Sequence, residues 1–282
     1  MALKLMYITD RPHIAAIAEN AGVDRIFVDM EYIGKTDRQG GMDTVQSHHT
    51  VEDAKRIKQT LTKAQLLVRC NPIHQGTAQY PSSKEEIDRV VESGADIIML
   101  PYFKTAAEVQ TFVDLVGGRA KTMPLVETKE AVAAIDEILS IDGIDELYIG
   151  LNDLSLSLGK RFMFQPLAEG LVDELAQKCR AKGIPFGFGG IASIGQGMLP
   201  SEHIIREHHR LGSTAAILSR SFCNLQTTTD EKEIQQIFEQ GVTAIRTLEQ
   251  ECAGGDAAYF AHNRKILQDK VGKILALMDE KR

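Results

Sequence analysis

The 282-residue sequence contains no tryptophan, and no apolar run approaches the roughly 20 residues that a membrane-crossing helix needs. A membrane is therefore not expected as a partner. The opening stretch, Met1-Ala-Leu-Lys-Leu-Met-Tyr-Ile-Thr-Asp10, reads as a first strand rather than a signal peptide. Cysteine is scarce: Cys70, Cys179, Cys223 and Cys252 lie far apart, without the paired spacing of a disulfide frame or a zinc site. Reduced thiols in a cytoplasmic protein are expected. Cys70 adjoins Arg69, but no histidine is placed by sequence to activate it as a nucleophile. Positive charge is also in short supply. The net charge of −7 argues against nucleic acid as a partner, although a local group of cations could still hold a small anion.

What remains is an ordinary soluble composition, 43% hydrophobic and 25% charged, long enough for one large α/β domain or two small ones. Eight short apolar runs, at 5–9, 25–31, 65–70, 96–101, 122–127, 146–151, 185–189 and 215–219, alternate with amphipathic segments. The segments 51–62, 84–93, 105–116, 129–140 and 167–182 read as helices. Runs such as Asp96-Ile-Ile-Met-Leu-Pro101 are apolar almost throughout, as strands buried on both faces are. Strand–helix alternation repeated eight times predicts a (β/α)8 TIM barrel with an extra C-terminal helix. A doubly wound open sheet is the alternative, but no glycine-rich dinucleotide fingerprint follows the first strand.

Punctuation supports this segmentation. Thr50-Val-Glu-Asp53 is a loose capping box and Ser83-Lys-Glu-Glu86 a full one, while Gly22, Gly94, Gly143 and Gly183 each close a helix where a left-handed residue is wanted. The barrel is expected over 1–252. Residues 253–282 carry a further helical stripe through Phe260, Leu267, Val271 and Ile274, with no obvious place in a monomer. That stripe predicts packing on a partner subunit, hence a homo-oligomer, or a cover for the barrel bottom.

Active sites of barrels gather at the C-terminal ends of the strands. Those ends read Asp10, then Asp29-Met-Glu31-Tyr32, Arg69-Cys-Asn71-Pro72, Pro101-Tyr102, Glu127-Thr128, Asn152-Asp153, Gly187-Phe-Gly-Gly190 and Ser219-Arg220-Ser221. Glu127 and Asp153 end consecutive runs. Parallel strands lie roughly 4.8 Å apart, so two such carboxylates can converge on one hard cation, Mg2+ or Mn2+. A 2-oxo acid would complete the ligand set, and Arg69 could clamp its carboxylate or carbonyl. Gly189, Gly190 and Ser219, with Asn152, are candidates for holding the substrate. A lone carboxylate at such a junction is more often a cap or surface ion pair; two on neighbouring strands, with an arginine on the same rim, favour function. His74 reads as an exposed loop histidine, and His203, His208 and His209 as solvated or interfacial. Lys35 and Lys104 could in principle form a Schiff base, but neither has an apolar setting to lower its pKa.

Phe27-Val-Asp29-Met-Glu31, Leu67-Val-Arg69-Cys-Asn71, Gly94-Ala-Asp-Ile-Ile-Met-Leu-Pro101, Pro124-Leu-Val-Glu127-Thr and Ile149-Gly-Leu-Asn-Asp153-Leu-Ser together resemble the hydroxy-oxo-acid aldolase / citrate lyase β-subunit family. The resemblance spans about 1–225 and is strongest in 25–160. It implies a divalent-metal-dependent carbon–carbon lyase working through a pyruvate enolate, with Glu127 and Asp153 as metal ligands and Arg69 facing the substrate oxyanion. It also implies an oligomer assembled through C-terminal helices. The citrate lyase side implies the alternative of an acyl-CoA (malyl- or citramalyl-type) lyase. The family's aldolases carry a histidine after the glutamate of the second strand, where this chain has Tyr32. The long following loop ends in Ser47-His48-His49, so His48, His49 and Tyr32 become candidates for the base, with Glu31 behind them. The missing histidine also keeps open a non-catalytic barrel that binds a small carboxylate.

Overall fold

The computed structural model describes residues 2–35 and 47–280. All eight apolar runs form strands: β1 Lys4–Ile8, β2 Arg25–Asp29, β3 Gln65–Arg69, β4 Ile97–Leu100, β5 Lys121–Val126, β6 Leu147–Ile149, β7 Phe186–Ile191 and β8 Ala215–Leu218. Each pairs in parallel with the next, and β8 returns to β1, closing the (β/α)8 barrel. The helices around it are α1 Pro12–Asn20, α2 Val51–Thr60, α3 Ser83–Glu92, α4 Ala106–Val116, α5 Lys129–Ala133, α6 Ile135–Ile138 and α7 Leu151–Ser157. They continue with α8 Gln165–Ala168, α9 Leu171–Ala181, α10 Ser201–Leu211, α11 Glu231–Ala253 and α12 Ala257–Glu280. No helix among the described residues is long and apolar enough to cross a membrane.

Strand alternation sorts the barrel interior into layers. At the bottom, Arg25 is fully buried and forks onto Glu146 at 2.8 and 2.6 Å, while its Nε donates to Gln65 at 3.3 Å. Above this plug lies an apolar layer that includes Met6, Phe27, Leu67, Met99, Leu125 and Tyr148. Two residues further along their strands stand Asp29, Arg69 and Glu127. The same period that fills the core therefore lifts three charged groups onto the C-terminal rim.

Two expected helices are each divided. The 129–140 segment turns at Ala134, and 167–182 is split by Gly170, which holds φ +99°. The cap of α3 also differs from expectation. Consecutive serines and glutamates allow two registers, and Ser82 with Glu85 forms the reciprocal box. That choice frees Ser83 to accept the His74 N–H at 2.8 Å and turns Glu86 inward. The box at Thr50 and Asp53 is complete. Gly22, Gly94, Gly143 and Gly183 all take positive φ.

The C-terminal helices correct two expectations. The α12 stripe has a place on its own chain: Asn263, Leu267, Val271 and Ile274 are buried where α12 runs along α10 and α8. The histidines of α10 are not solvated either. His203 and His208 are buried, and the His209 side chain is only 11% exposed, because α10 is covered by α11 and α12. His203 Nδ1 meets Asn263 Oδ1 at 2.8 Å; His208 stacks on Phe188 at 3.8 Å and bonds Ser213 Oγ at 2.8 Å. Burial, then His209, lowers His208 to about 3, with Glu249 acting in the opposite sense.

Candidate active site

Glu127 follows β5, while Asp153 comes from the first turn of α7 rather than from the end of β6, because α7 begins at Leu151. β5 and β6 are hydrogen-bonded neighbours in register at Val126 and Ile149, so the two carboxylates rise side by side. Gly150 makes room between them. A Cβ there would lie 2.8 Å from Glu127 Oε2, so only glycine lets Glu127 lie across the end of β6. Both acids line one cavity of about 190 Å3, with Arg69, Asn152, Gly189 and Gly190. Phe27, Met99, Leu125, Tyr148 and Ile217 form its apolar part. A larger groove of about 400 Å3, near Asp96, Arg119 and Lys121, opens at the opposite end of the strands.

Burial first, then Glu31 and Asp153, push the Glu127 carboxyl well above the usual carboxylate range; Arg69 and the Tyr102 N–H draw it the other way. That N–H donates to Glu127 Oε1 at 2.9 Å from a residue with φ +47°, the one non-glycine with positive φ among the described residues. A tyrosine held in a left-handed conformation stores strain, and here the strain aims a donor at the acid.

Arg69 spans the rim of β2. Its Nε and Nη2 donate to Asp29 at 2.8 Å each, Nη1 lies 3.3 Å from Glu31, and the guanidinium sits 5.5 Å over the Phe27 ring. Lys35, also buried, reaches Asp29 at 2.7 Å and Glu31 at 3.7 Å. Burial alone would raise the Asp29 carboxyl, but Arg69 and Lys35 hold it well below its ordinary value. Among the described residues, Asp29 and Glu31 share Arg69 and Lys35, and Glu127 and Asp153 stand beside them in the cavity. Glu127 and Asp153 offer oxygen donors, which suit Mg2+ or Mn2+. No group of three or more His, Cys, Asp or Glu among the described residues is arranged to hold a metal. Glu127 and Asp153 are the residues that would hold such an ion, with substrate and water as further donors.

The candidate bases stand further off. Tyr32 donates its hydroxyl to the His49 carbonyl, and burial, then Asp29, push it up to about 12. His49 Nδ1 accepts the Asp29 N–H at 3.0 Å; burial lowers this imidazole despite Asp10, Asp29 and Asp53. His48 is exposed and stacks on Tyr32 at 6.0 Å. None of the three is a cavity-lining residue, and residues 36–46 of the long loop between Ile33 and Thr50 lie outside the described residues. Ser219 stands beside Gly190 without lining the cavity. Cys70 gives its thiol to the Met99 carbonyl at 3.4 Å, and burial raises it well above its usual value, so it is no nucleophile. His74 is clamped between the carbonyls of Pro72 and Pro81, at 2.8 and 2.7 Å, rather than exposed.

Several contributors carried only a weak sequence signal. Asp29 and Lys35 were recoverable from strand alternation and from the i,i+4 spacing of Glu31 and Lys35. Asn71 was visible only as a rim residue. Its Oδ1 accepts the N–H groups of Tyr32 and Ile33 at 2.8 and 2.9 Å, and its Nδ2 donates to Glu86 at 2.9 Å. The strut thus fixes the backbone just after Glu31. The strained Tyr102 left no mark in sequence.

Barrel and rim together define the class: a (β/α)8 protein with an acidic, arginine-bearing pocket at the C-terminal ends of its strands. The chain belongs to the HpcH/HpaI aldolase/citrate lyase family, whose model matches residues 4–184. A hydroxypyruvate/pyruvate aldolase of Rhizorhabdus wittichii is 34% identical over 26% of this chain and 40% of its own length, so the match spans less than half of that relative. The 2-keto-3-deoxy-L-rhamnonate aldolase of Escherichia coli K12 is 22% identical over 64% of this chain and 71% of its own length. The solved HpcH/HpaI aldolase of Desulfitobacterium hafniense DCB-2 superposes with TM-score 0.57 at 18% identity, covering 86% of this chain and 93% of that one. At that identity the likeness is one of fold.

Proposed function

We propose that this chain is a divalent-cation-dependent carbon–carbon lyase of the aldolase type, cleaving or forming a hydroxylated 2-oxo acid through a pyruvate enolate. The observation that carries this reading is the pair Glu127 and Asp153 lining one cavity with Arg69 at the C-terminal ends of neighbouring strands. Family membership and the names of the relatives support it. In this reading Glu127 and Asp153 hold Mg2+ or Mn2+, which when bound draws electron density from the oxygens of the 2-oxo acid. Arg69 donates to the oxygen on which negative charge grows, and Asp29, bonded twice to it, keeps the guanidinium oriented. Asn152, Gly189 and Gly190 shape the wall against the bound acid. Glu31, between Arg69 and Lys35, orients the water that carries the C3 proton. The Tyr102 N–H holds Glu127 in place. A homo-oligomer formed in part through α12 belongs to the same proposal.

The test is exchange of the C3 protons of pyruvate in D2O, followed by NMR against the enzyme-free rate. Exchange that requires Mg2+ or Mn2+ and stops with a chelator is expected. Exchange indifferent to the chelator but stopped by borohydride would replace this reading with a lysine Schiff base.

A further inference from the structure

The middle of the barrel is completed in an unusual way at β7. Gly187, an inward position, presents no side chain, and the Tyr148 ring from β6 occupies that space. A Cβ on Gly187 would lie 2.4 Å from Tyr148 Cε2 and 2.5 Å from the Ala215 carbonyl. One ring therefore serves two strands. Its hydroxyl is wholly engaged with backbone: it accepts the Ile217 N–H at 2.9 Å and lies 2.6 Å from the Gly189 carbonyl and 3.1 Å from that of Phe188. Those bonds span a register shift in the β7–β8 ladder between Gly187 and Gly190. Within the shift Gly189 takes φ +57°, and a Cβ on it would meet Leu151 Cδ1 at 2.9 Å. The bulge gives the cavity a wall of bare backbone at Gly189 and Gly190, while the Tyr148 ring lies among the apolar residues of the same cavity.

We infer that Tyr148 is a specificity-determining residue of this pocket: its ring is the floor that limits what the donor 2-oxo acid carries on C3. The inference rests on the reading of the rim as a 2-oxo acid site. The polar groups, Arg69 and the two acids, claim the donor's oxygens. An aldehyde must approach C3 from the open rim, so any other substituent on C3 is left to the apolar lining. That lining includes the buried Tyr148 ring, whose hydroxyl proton is taken up by the backbone carbonyls of β7. The pocket accordingly favours a bare C3, as in pyruvate, over donors lengthened by one or two methylene groups.

Cation-dependent C3 proton exchange by pyruvate, 2-oxobutanoate and 2-oxopentanoate tests this in the wild type, Tyr148→Phe and Tyr148→Leu. In the wild type kcat/KM should fall by about tenfold or more for each added methylene, the discrimination expected of a closed apolar pocket. Tyr148→Phe keeps the ring and should keep this preference even where overall activity drops. Tyr148→Leu removes the floor and should shift the ratio of 2-oxobutanoate to pyruvate upward by about tenfold. A ratio does not depend on the fraction folded, so a purely structural role would lower all rates together and leave it fixed. An unchanged ratio in Tyr148→Leu overturns the inference. If that variant does not fold, a wild type that treats 2-oxopentanoate like pyruvate overturns it equally. No exchange of pyruvate by the wild type under any cation removes the proposed function, and this inference with it.

Discussion

Arg69→Lys keeps the positive charge but removes the planar fork. In the wild type the guanidinium makes two bonds to Asp29 at 2.8 Å and still faces Glu31 at 3.3 Å, all from one rigid plane. An ammonium at the end of a flexible stem can keep one of the Asp29 bonds, and Lys35 already competes for Asp29 at 2.7 Å. Losing one charge-assisted bond in a buried network costs about 1.5–3 kcal/mol of stability, which for a chain of this size is a fall in Tm of roughly 3–5 °C. On the proposed role of Arg69 the catalytic cost is larger, because the donor assigned to the developing negative charge would be misplaced. Removing one such donor typically costs about 3 kcal/mol, or on the order of a hundredfold in rate. The assay is cation-dependent C3 proton exchange of pyruvate at 25 °C, with Tm from differential scanning calorimetry. Exchange within about twofold of wild type would mean that Arg69 only braces Asp29 and that some other group meets the substrate oxygen.

Acid should weaken the fold through His208. Its folded-state pKa, about 3, lies below the ordinary histidine value, so the unfolded chain binds the proton more readily. The stabilisation is complete above about pH 6.5 and is lost as the pH falls toward 3, amounting to roughly 2 kcal/mol by pH 5. Thermal melts between pH 7 and pH 5 should show this loss, and His208→Gln should flatten it; an identical slope in the variant would remove His208 as the cause. Asn71→Ala should cost about 3 kcal/mol, since it strips Glu86 and the N–H groups of Tyr32 and Ile33 of their shared partner. Activity measured well below the melting temperature should fall as well, because the strut sets the backbone behind Glu31. Full activity in folded Asn71→Ala protein would separate the strut from the site.

The barrel was legible because buried parallel strands write themselves as short continuous apolar runs, such as Ile97–Leu100, between amphipathic segments. Glu127 and Arg69 were legible for the same reason, since each directly ends or follows such a run. Asp153 reads in the sequence as the end of a strand but lies on the first turn of α7, because Leu151 and Leu154 suit a strand end as readily as a helix start. What pattern cannot convey is the partner of a polar group. Asp29 under Arg69, Asn71 under Tyr32 and the backbone bonds of Tyr148 are long-range pairings that no local period encodes. The histidines of α10 looked solvated because their polarity masks a face covered by α11 and α12. The α12 stripe looked unpartnered for a related reason: its cover, α10, lies some fifty residues earlier in the chain.

The central claim is that Glu127 and Asp153 grip a single divalent ion. Titration of metal-free protein with Mn2+, following the free ion by electron paramagnetic resonance, tests it most directly. One ion bound per chain is expected in the wild type, with binding weakened at least a hundredfold in Asp153→Asn and Glu127→Gln at unchanged Tm (on the order of 3 kcal/mol lost per ligand). Wild-type protein that binds no Mn2+, or variants that bind it as tightly as the parent, would contradict the account.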